Sequence, residues 1–211
     1  MLKKVLQLME DPWQLLNRQE LDLAESIAFA LTHFRIYNKL SEAQLEHYNN
    51  LLQQAVNRLE SLTENDIDSL ISECQKLIDG IKELKDLVIR ERDRYFQKLG
   101  KVEHKITLLL PPTIIAMSIL GAFLPVIGIV FGSTLLATLL VYYLIKRHKL
   151  RKEFERTLEE ARRFLRDYTR SVPTNDRDIY IKLLEIRDRA ELVLIFLLDL
   201  KYVKLKKKQT N

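Results

Sequence analysis

The sequence is poor in the residues that build disulfide frameworks, metal sites and tight turns. Its single cysteine, Cys74, excludes a disulfide framework and any site with several cysteine ligands. Its five glycines and five prolines are too few for collagen, for low-complexity sequence or for a β-sandwich or barrel with many turns. Because 47% of the residues are apolar, the composition is also not that of a disordered chain.

Sequence motifs that carry chemistry are also missing. The four histidines are scattered, and none forms a metal-ligand pair at helical spacing. We find no glycine-rich phosphate loop, no Walker signature and no nucleophile elbow. We therefore predict that the protein is not an enzyme, with no catalytic residue, no metal, no cofactor and no small-molecule substrate.

The chain does contain one long apolar segment. Residues 106–145 hold no Asp, Glu, Lys, Arg, His, Asn or Gln, although 30% of the whole chain is charged. A helix needs roughly 20 residues to cross a bilayer, so this segment predicts a hairpin of two transmembrane helices. Gly121 and Pro125 place the tip of the hairpin near residues 121–125.

The first crossing is less regular than the second, because Pro112 leaves only about a dozen residues before Pro125. Either the helix extends back to about Lys105 through a proline kink, or the hairpin does not reach the far leaflet. A further alternative is that the apolar hairpin forms the buried centre of a soluble helical bundle and inserts only on triggering.

Positive charge flanks the apolar segment on both sides. By the positive-inside rule, both termini are predicted to be cytoplasmic, with two crossings between them. Residues 146–211 carry 19 Lys and Arg against 11 Asp and Glu. Since this charge adjoins the membrane segment, anionic lipid is favoured over nucleic acid as its partner. The predicted headgroup-binding residues are Lys146, Arg147, Lys149, Arg151 and Lys152.

Amphipathic helices are predicted on both sides of the apolar segment. The sequence from Asp11 to Gln14 indicates a helix start, and this helix is expected to run to about Lys39. Ser41 and Gln44 form a capping-box pattern for the next helix. A heptad pattern then follows over residues 64–104. This spacing fits either an intramolecular bundle or a coiled coil between chains. The predicted seam residues are Leu70, Leu77, Ile81, Leu84 and Val88.

Small and hydroxyl residues mark the second crossing. Gly128 and Gly132 form a GxxxG pattern, which allows close helix packing within the hairpin or between protomers. Thr134 and Thr138 are four residues apart, so they either bond to carbonyls of their own helix or line a narrow path in an oligomer.

These patterns together predict an all-α protein, a helical bundle or coiled-coil domain with a central transmembrane hairpin. Residues 1–105 form a cytosolic helical domain, residues 106–145 the hairpin, and residues 146–211 a basic cytosolic helical region. The expected function is that of a self-assembling membrane protein, a homo-oligomer with a scaffold, membrane-shaping or adaptor role. The alternative function is an oligomeric pore-forming or channel-like effector.

Overall fold

The structure is a computed structural model that describes residues 1–210, and the side chains of all of these except residues 34–37 and 208–210. Within this part the chain is helical and contains no strand, so the all-α prediction is confirmed. One 3₁₀ turn, Tyr37–Lys39, follows the third helix. The α-helices are α1 (Leu2–Glu10), α2 (Trp13–Leu16), α3 (Leu23–Ile36), α4 (Glu42–Glu60), α5 (Glu64–Phe123), α6 (Pro125–Tyr168) and α7 (Asp176–Thr210).

The chain forms two compact units. Unit 1 combines Met1–Lys85 with Ala161–Asn211, and unit 2 is the continuous stretch Asp86–Glu160. Both long helices, α5 and α6, begin in one unit and end in the other. The boundaries predicted for the membrane segment, residues 106–145, remain predictions.

Side-chain caps define where several helices begin. Before α4, the backbone N–H of Ser41 donates to Gln44 Oε1 at 3.1 Å, as the capping-box pattern predicts. Before α5, the N–H of Asp66 donates to Thr63 Oγ1 at 3.2 Å. These bonds satisfy N–H groups that the first turn of a helix otherwise leaves without a partner.

The prediction of one helix from Asp11 to about Lys39 is wrong. The structure has the single turn α2 and then begins α3 anew at Leu23. Asp22 causes the restart, because its Oδ1 accepts the N–H of Glu25 at 2.8 Å and its own N–H donates to Glu25 Oε2 at 3.4 Å. This reciprocal pair is a capping box, and it requires non-helical backbone at its first residue.

Unit 1 has a core of apolar side chains at helical spacing. Along α7 the buried positions alternate between intervals of four and three residues, which places them on one face of the helix. The heptad positions of α5 from Ile67 to Ile81 are buried in the same way. The buried residues are Ile179, Leu183, Ile186, Ala190, Val193 and Leu197 in α7, and Ile67, Leu70, Cys74, Leu77 and Ile81 in α5.

Candidate functional site: the apolar helix pair

In unit 2, α5 and α6 lie side by side and run in opposite directions. Leu124 is the one residue between them that is not helical. Moving away from Leu124, the Tyr143 hydroxyl donates to Glu103 Oε1 at 3.2 Å. Further along, the rings of Tyr95 and Phe154 stack with centroids 5.8 Å apart. Contacting residues therefore have lower numbers in α5 as they have higher numbers in α6, which is the pairing of an antiparallel helix pair.

Gly128 permits a close approach of the two helices. A Cβ added to Gly128 would lie 2.6 Å from the backbone nitrogen of Gly121, closer than real Cβ atoms come to other atoms. A Cβ added to Gly132 would overlap the side chain of Met117. The structure thus uses both glycines of the GxxxG pattern for contacts within the chain, which is one of the two roles that the sequence allows.

The rest of this helix pair presents apolar surface to its surroundings. Each helix has one most apolar stretch of 18 residues. Only 6% of this stretch is buried in α5, and only 11% of it is buried in α6. By length and composition, each helix could cross a membrane. At 1.5 Å per residue, the apolar part of α5 up to Phe123 extends about 27 Å, and that of α6 from Pro125 to Ile145 about 31 Å. Both lengths are close to the roughly 30 Å of a hydrocarbon core.

Pro111 and Pro112 lie inside α5, which continues through both of them to Phe123. The helix therefore follows the first of the two courses open from the sequence, in which the first apolar stretch extends back through the prolines. Because proline has no N–H, the carbonyls of Thr107 and Leu108 lose their usual helical donors.

The hydroxyl groups in α6 bond to their own helix. Thr134 Oγ1 donates to the carbonyl of Val130, and Thr138 Oγ1 donates to the carbonyl of Thr134, both at 2.8 Å. These bonds give each hydroxyl a partner within its own helix, so no second chain is needed for that purpose. That both threonines line a pore stays a prediction.

The five predicted headgroup residues occupy different surroundings. Lys146 and Lys149 line a cleft between α5 and α6, together with lysines of α5. Arg147, Arg151 and Lys152 are exposed and do not line this cleft. The lysines of α5 count in the sequence only as flanking charge, because the hairpin pattern brings the two flanks to the same side but does not show which of their side chains share a cleft.

The predicted assembly seam is buried within one chain. Leu70, Leu77, Ile81 and Val88 are buried, and Leu84 is half-buried. An intramolecular bundle accounts for this burial without a second protomer. Assembly through the same side chains stays a prediction.

Unit 1 contains a partly buried polar cluster around Glu10, at the end of α1. Lys182 Nζ lies 2.5 Å from Glu10 Oε1, Thr169 Oγ1 donates to Glu10 at 2.8 Å, and the N–H of Arg170 donates at 2.9 Å. Burial alone would raise the pKa of Glu10, but these donors outweigh it and hold the pKa below its ordinary value. The cluster links α1 to α7, through Lys182, and to the loop between α6 and α7, through Thr169 and Arg170.

Cys74 and His47 are two further side chains of unit 1 that could carry chemistry. Burial, assisted by the carboxylate of Glu73, raises the pKa of the Cys74 thiol to about 12, so the nucleophilic thiolate is scarce at neutral pH. His47 bonds to the carbonyl of Leu16 at 2.7 Å. Among the described residues there is no group of three or more His, Cys, Asp or Glu placed to hold a metal ion.

Comparison with protein-family models, with curated proteins and with solved structures gives no match for this chain. The fold and the apolar helix pair define the chain as an all-α protein with two helices long and apolar enough to cross a membrane.

Proposed function

We propose that the chain is a non-enzymatic integral membrane protein whose apolar helix pair crosses the bilayer as a hairpin. In this proposal both termini are cytoplasmic, and the helical regions outside the bilayer act as a scaffold, a membrane-shaping element or an adaptor. The lipid bilayer and its anionic headgroups are its first partners.

The observation that carries this proposal is the exposed apolar surface of the helix pair. Eighteen large apolar side chains between residues 106 and 145 are exposed. Soluble monomers rarely present apolar patches of more than a few hundred Å² to water. A bilayer removes this cost, and a helix satisfies its own backbone hydrogen bonds in lipid. The basic residues at both ends of the stretch fit the cytoplasmic boundary of such a hairpin.

The proposal is tested by placing charge on this surface. Ile119 is 56% exposed and Val130 is 59% exposed. In water, arginine at these positions would be tolerated. In a bilayer each arginine costs about 2.5–3.5 kcal/mol by insertion measurements. We expect Ile119→Arg with Val130→Arg to lose retention in alkaline-extracted membranes, whereas the wild-type chain stays in the pellet.

A matched control is Phe96→Arg, because Phe96 is 59% exposed on α5 but lies outside the apolar stretch. This variant should stay in the pellet like the wild-type chain. Release of the wild-type protein by alkaline extraction would contradict a permanent membrane hairpin.

Self-assembly is supported by a second apolar surface, which lies on the exposed face of α7. Exposed apolar surface outside a bilayer commonly marks a contact between proteins. The side chains that form this surface are Leu192, Ile195, Leu198, Tyr202 and Leu205.

Ile195→Ser with Tyr202→Ser should lower the mass of the detergent-solubilised particle in light scattering. The control is Arg187→Ser with Asp188→Ser, which removes a neighbouring ion pair from the same helix and leaves the net charge unchanged. An unchanged mass in the first variant would mean that this face does not hold protomers together.

The alternative function is a pore. Because the apolar segment has no ionisable side chain, it offers ions little help in crossing. Purified protein in liposomes should therefore not release a trapped dye. Rapid release that rises steeply with concentration, and that Thr134→Val with Thr138→Val abolishes, would favour the pore instead.

A further inference from the structure

A cleft between α5 and α6 gathers lysines from two distant parts of the chain. The cleft has a volume of about 310 Å³ and lies entirely within unit 2. Its apolar lining consists of Val102, Tyr142 and Leu150. Its charged lining consists of Lys98, Lys101, Lys105, Lys146 and Lys149, with Glu153 as the single acid.

The charges in this cleft do not balance. Lys98 Nζ lies 3.5 Å from Glu153 Oε2, which offsets one of the five positive charges. The other four have no acidic counterpart in the lining. Three of the lysines are three or four residues apart on α5, a spacing at which like charges destabilise a helix. Such a concentration of one sign is the electrostatic requirement for binding an anion.

The location of the cleft narrows the class of anion. The apolar stretch begins directly after Lys105 and ends directly before Lys146. If the helix pair spans a bilayer, as proposed above, the cleft lies at the depth of the lipid headgroups. Basic pockets between transmembrane helices at this depth bind headgroups with several phosphates. One phosphodiester carries a single negative charge, whereas each phosphomonoester carries between −1.5 and −2.

A second cleft between the same two helices provides a comparison. It has a volume of about 300 Å³, with Glu103 as its only charged residue and an otherwise mainly apolar lining that includes Leu136 and Leu140. The carboxylate of Glu103 accepts the hydroxyl of Tyr143. The two clefts are similar in size, but only the lysine cleft suits an anion.

We propose that the lysine cleft binds the headgroup of a phospholipid that carries more than one phosphate group. Lysine ammonium groups act as compact point charges toward phosphate oxygens. Of the apolar lining residues, Tyr142 belongs to the apolar stretch, so in the proposed orientation it lies at the end of the cleft nearest the hydrocarbon core. This inference rests on the proposed membrane location of the helix pair.

The test is calorimetric titration of the detergent-solubilised full chain at fixed ionic strength. The probes are dioctanoyl phosphatidylinositol bisphosphate, dioctanoyl phosphatidylserine and the soluble headgroup inositol trisphosphate. The cleft variant combines Lys101→Gln, Lys105→Gln and Lys146→Gln. Since each lysine near an anionic surface contributes about a fivefold effect, we expect the bisphosphate lipid to bind this variant on the order of 100-fold more weakly.

A matched control combines Arg90→Gln, Arg92→Gln and Arg156→Gln, three exposed basic residues of unit 2 that do not line the cleft. It removes the same charge from side chains outside the cleft, and it should keep wild-type affinity. A second control combines Lys101→Arg, Lys105→Arg and Lys146→Arg. It preserves the charge and should still bind the bisphosphate lipid, so it separates an effect of lost charge from an effect of lost fold.

Three results would overturn the site. The first is that the cleft variant and the matched control lose the same affinity for the bisphosphate lipid. The others are that the wild-type chain binds phosphatidylserine as tightly as the bisphosphate lipid, or does not bind the bisphosphate lipid at all. Binding of inositol trisphosphate as tight as that of the lipid would overturn the lipid assignment in favour of a soluble polyphosphate. Retention of the wild-type chain in alkaline-extracted membranes, measured in parallel, distinguishes failure of this site from failure of the membrane proposal.

Discussion

Gly121 and Gly128 contact each other, but the space available for an added side chain differs between them. Gly128 has the backbone of Gly121 at 2.6 Å from where its Cβ would lie, whereas a Cβ on Gly121 would meet nothing within 4 Å. The difference arises because only one of the two Cα–H vectors points into the neighbouring helix. Contact alone therefore does not make both glycines necessary.

We expect Gly128→Ala to destabilise the helix pair by about 1–3 kcal/mol, because backbone cannot move aside as a side chain can. Gly121→Ala should be neutral or stabilising, since alanine is the better helix former. Gly132→Ala should fall between them, because the overlapping Met117 side chain is flexible. Thermal unfolding of the solubilised protein, followed by circular dichroism, measures this order. Equal effects at Gly121 and Gly128 would contradict the helix contact.

Glu10 should make folding stability depend on pH. Its pKa is lowered from the ordinary value of 4.5, since the donors around it outweigh the effect of burial. A lowered pKa in the folded state means that the contribution is fully present above the ordinary pKa and is lost as the pH falls through the lowered one. Glu10→Gln should therefore cost about 1–3 kcal/mol at neutral pH and less in acid.

Urea unfolding of the wild-type chain and of Glu10→Gln at several pH values measures this dependence. Glu83→Gln on the exposed side of α5 is the control and should behave like the wild-type chain. A difference between Glu10→Gln and the wild-type chain that stays constant down to strongly acid pH would show that the charge of Glu10 is not what stabilises the cluster.

Helix α5 illustrates what apolar periodicity can and cannot predict. The seven-residue spacing identified a seam that proves to be buried at Ile67, Leu70 and Leu77. The spacing leaves the partner of the seam open, because an intramolecular bundle and a coiled coil between chains bury the same face. In the structure a single chain buries it.

Leu77→Asp should lower the helical signal and the folding stability of the chain by about 3–5 kcal/mol, because it places charge in the core of unit 1. Gln75→Asp adds the same charge on the exposed side of α5 and should cost much less. Circular dichroism and light scattering on both variants measure the difference. A smaller particle that keeps its helical signal would show that the seam joins separate chains.

Helix boundaries were predictable where a polar cap stands alone in the sequence. Ser41 precedes α4 as its capping-box pattern predicts. The break before α3 was missed because Asp22 and Glu25 lie within a run of apolar positions that fits one longer helix. Their capping-box spacing was the available signal, and Glu25 is buried beside Arg18, with Glu25 Oε1 2.7 Å from Arg18 Nη1.

The lysine cleft shows which part of a site depends on the fold. The sequence places Lys105 before the apolar stretch and Lys146 after it, and this alone predicts basic ends of a membrane hairpin. That both lysines line one cleft, while Arg147 does not, follows from the register between α5 and α6. In this register Gly128 packs closely against the backbone of Gly121, a contact that a hydropathy pattern does not contain.

The distribution of charge and apolar surface along the chain supports one topology. The charged helices come before and after an apolar pair, and the pair returns the chain in the direction from which it came. In a bilayer, an even number of crossings places both charged parts on the same side. In the topology proposed above, Ser41 in the first part and Thr174 in the last part are on the cytoplasmic side, and Phe123 at the end of α5 is near the other.

Cysteine labelling with an impermeant reagent tests this topology most directly. The natural Cys74 is buried, so the wild-type chain is the unlabelled control. Cysteine at Ser41 or at Thr174 should react only from the cytoplasmic side, and cysteine at Phe123 only from the opposite side. Labelling of Ser41→Cys and Thr174→Cys from opposite sides would contradict the membrane hairpin.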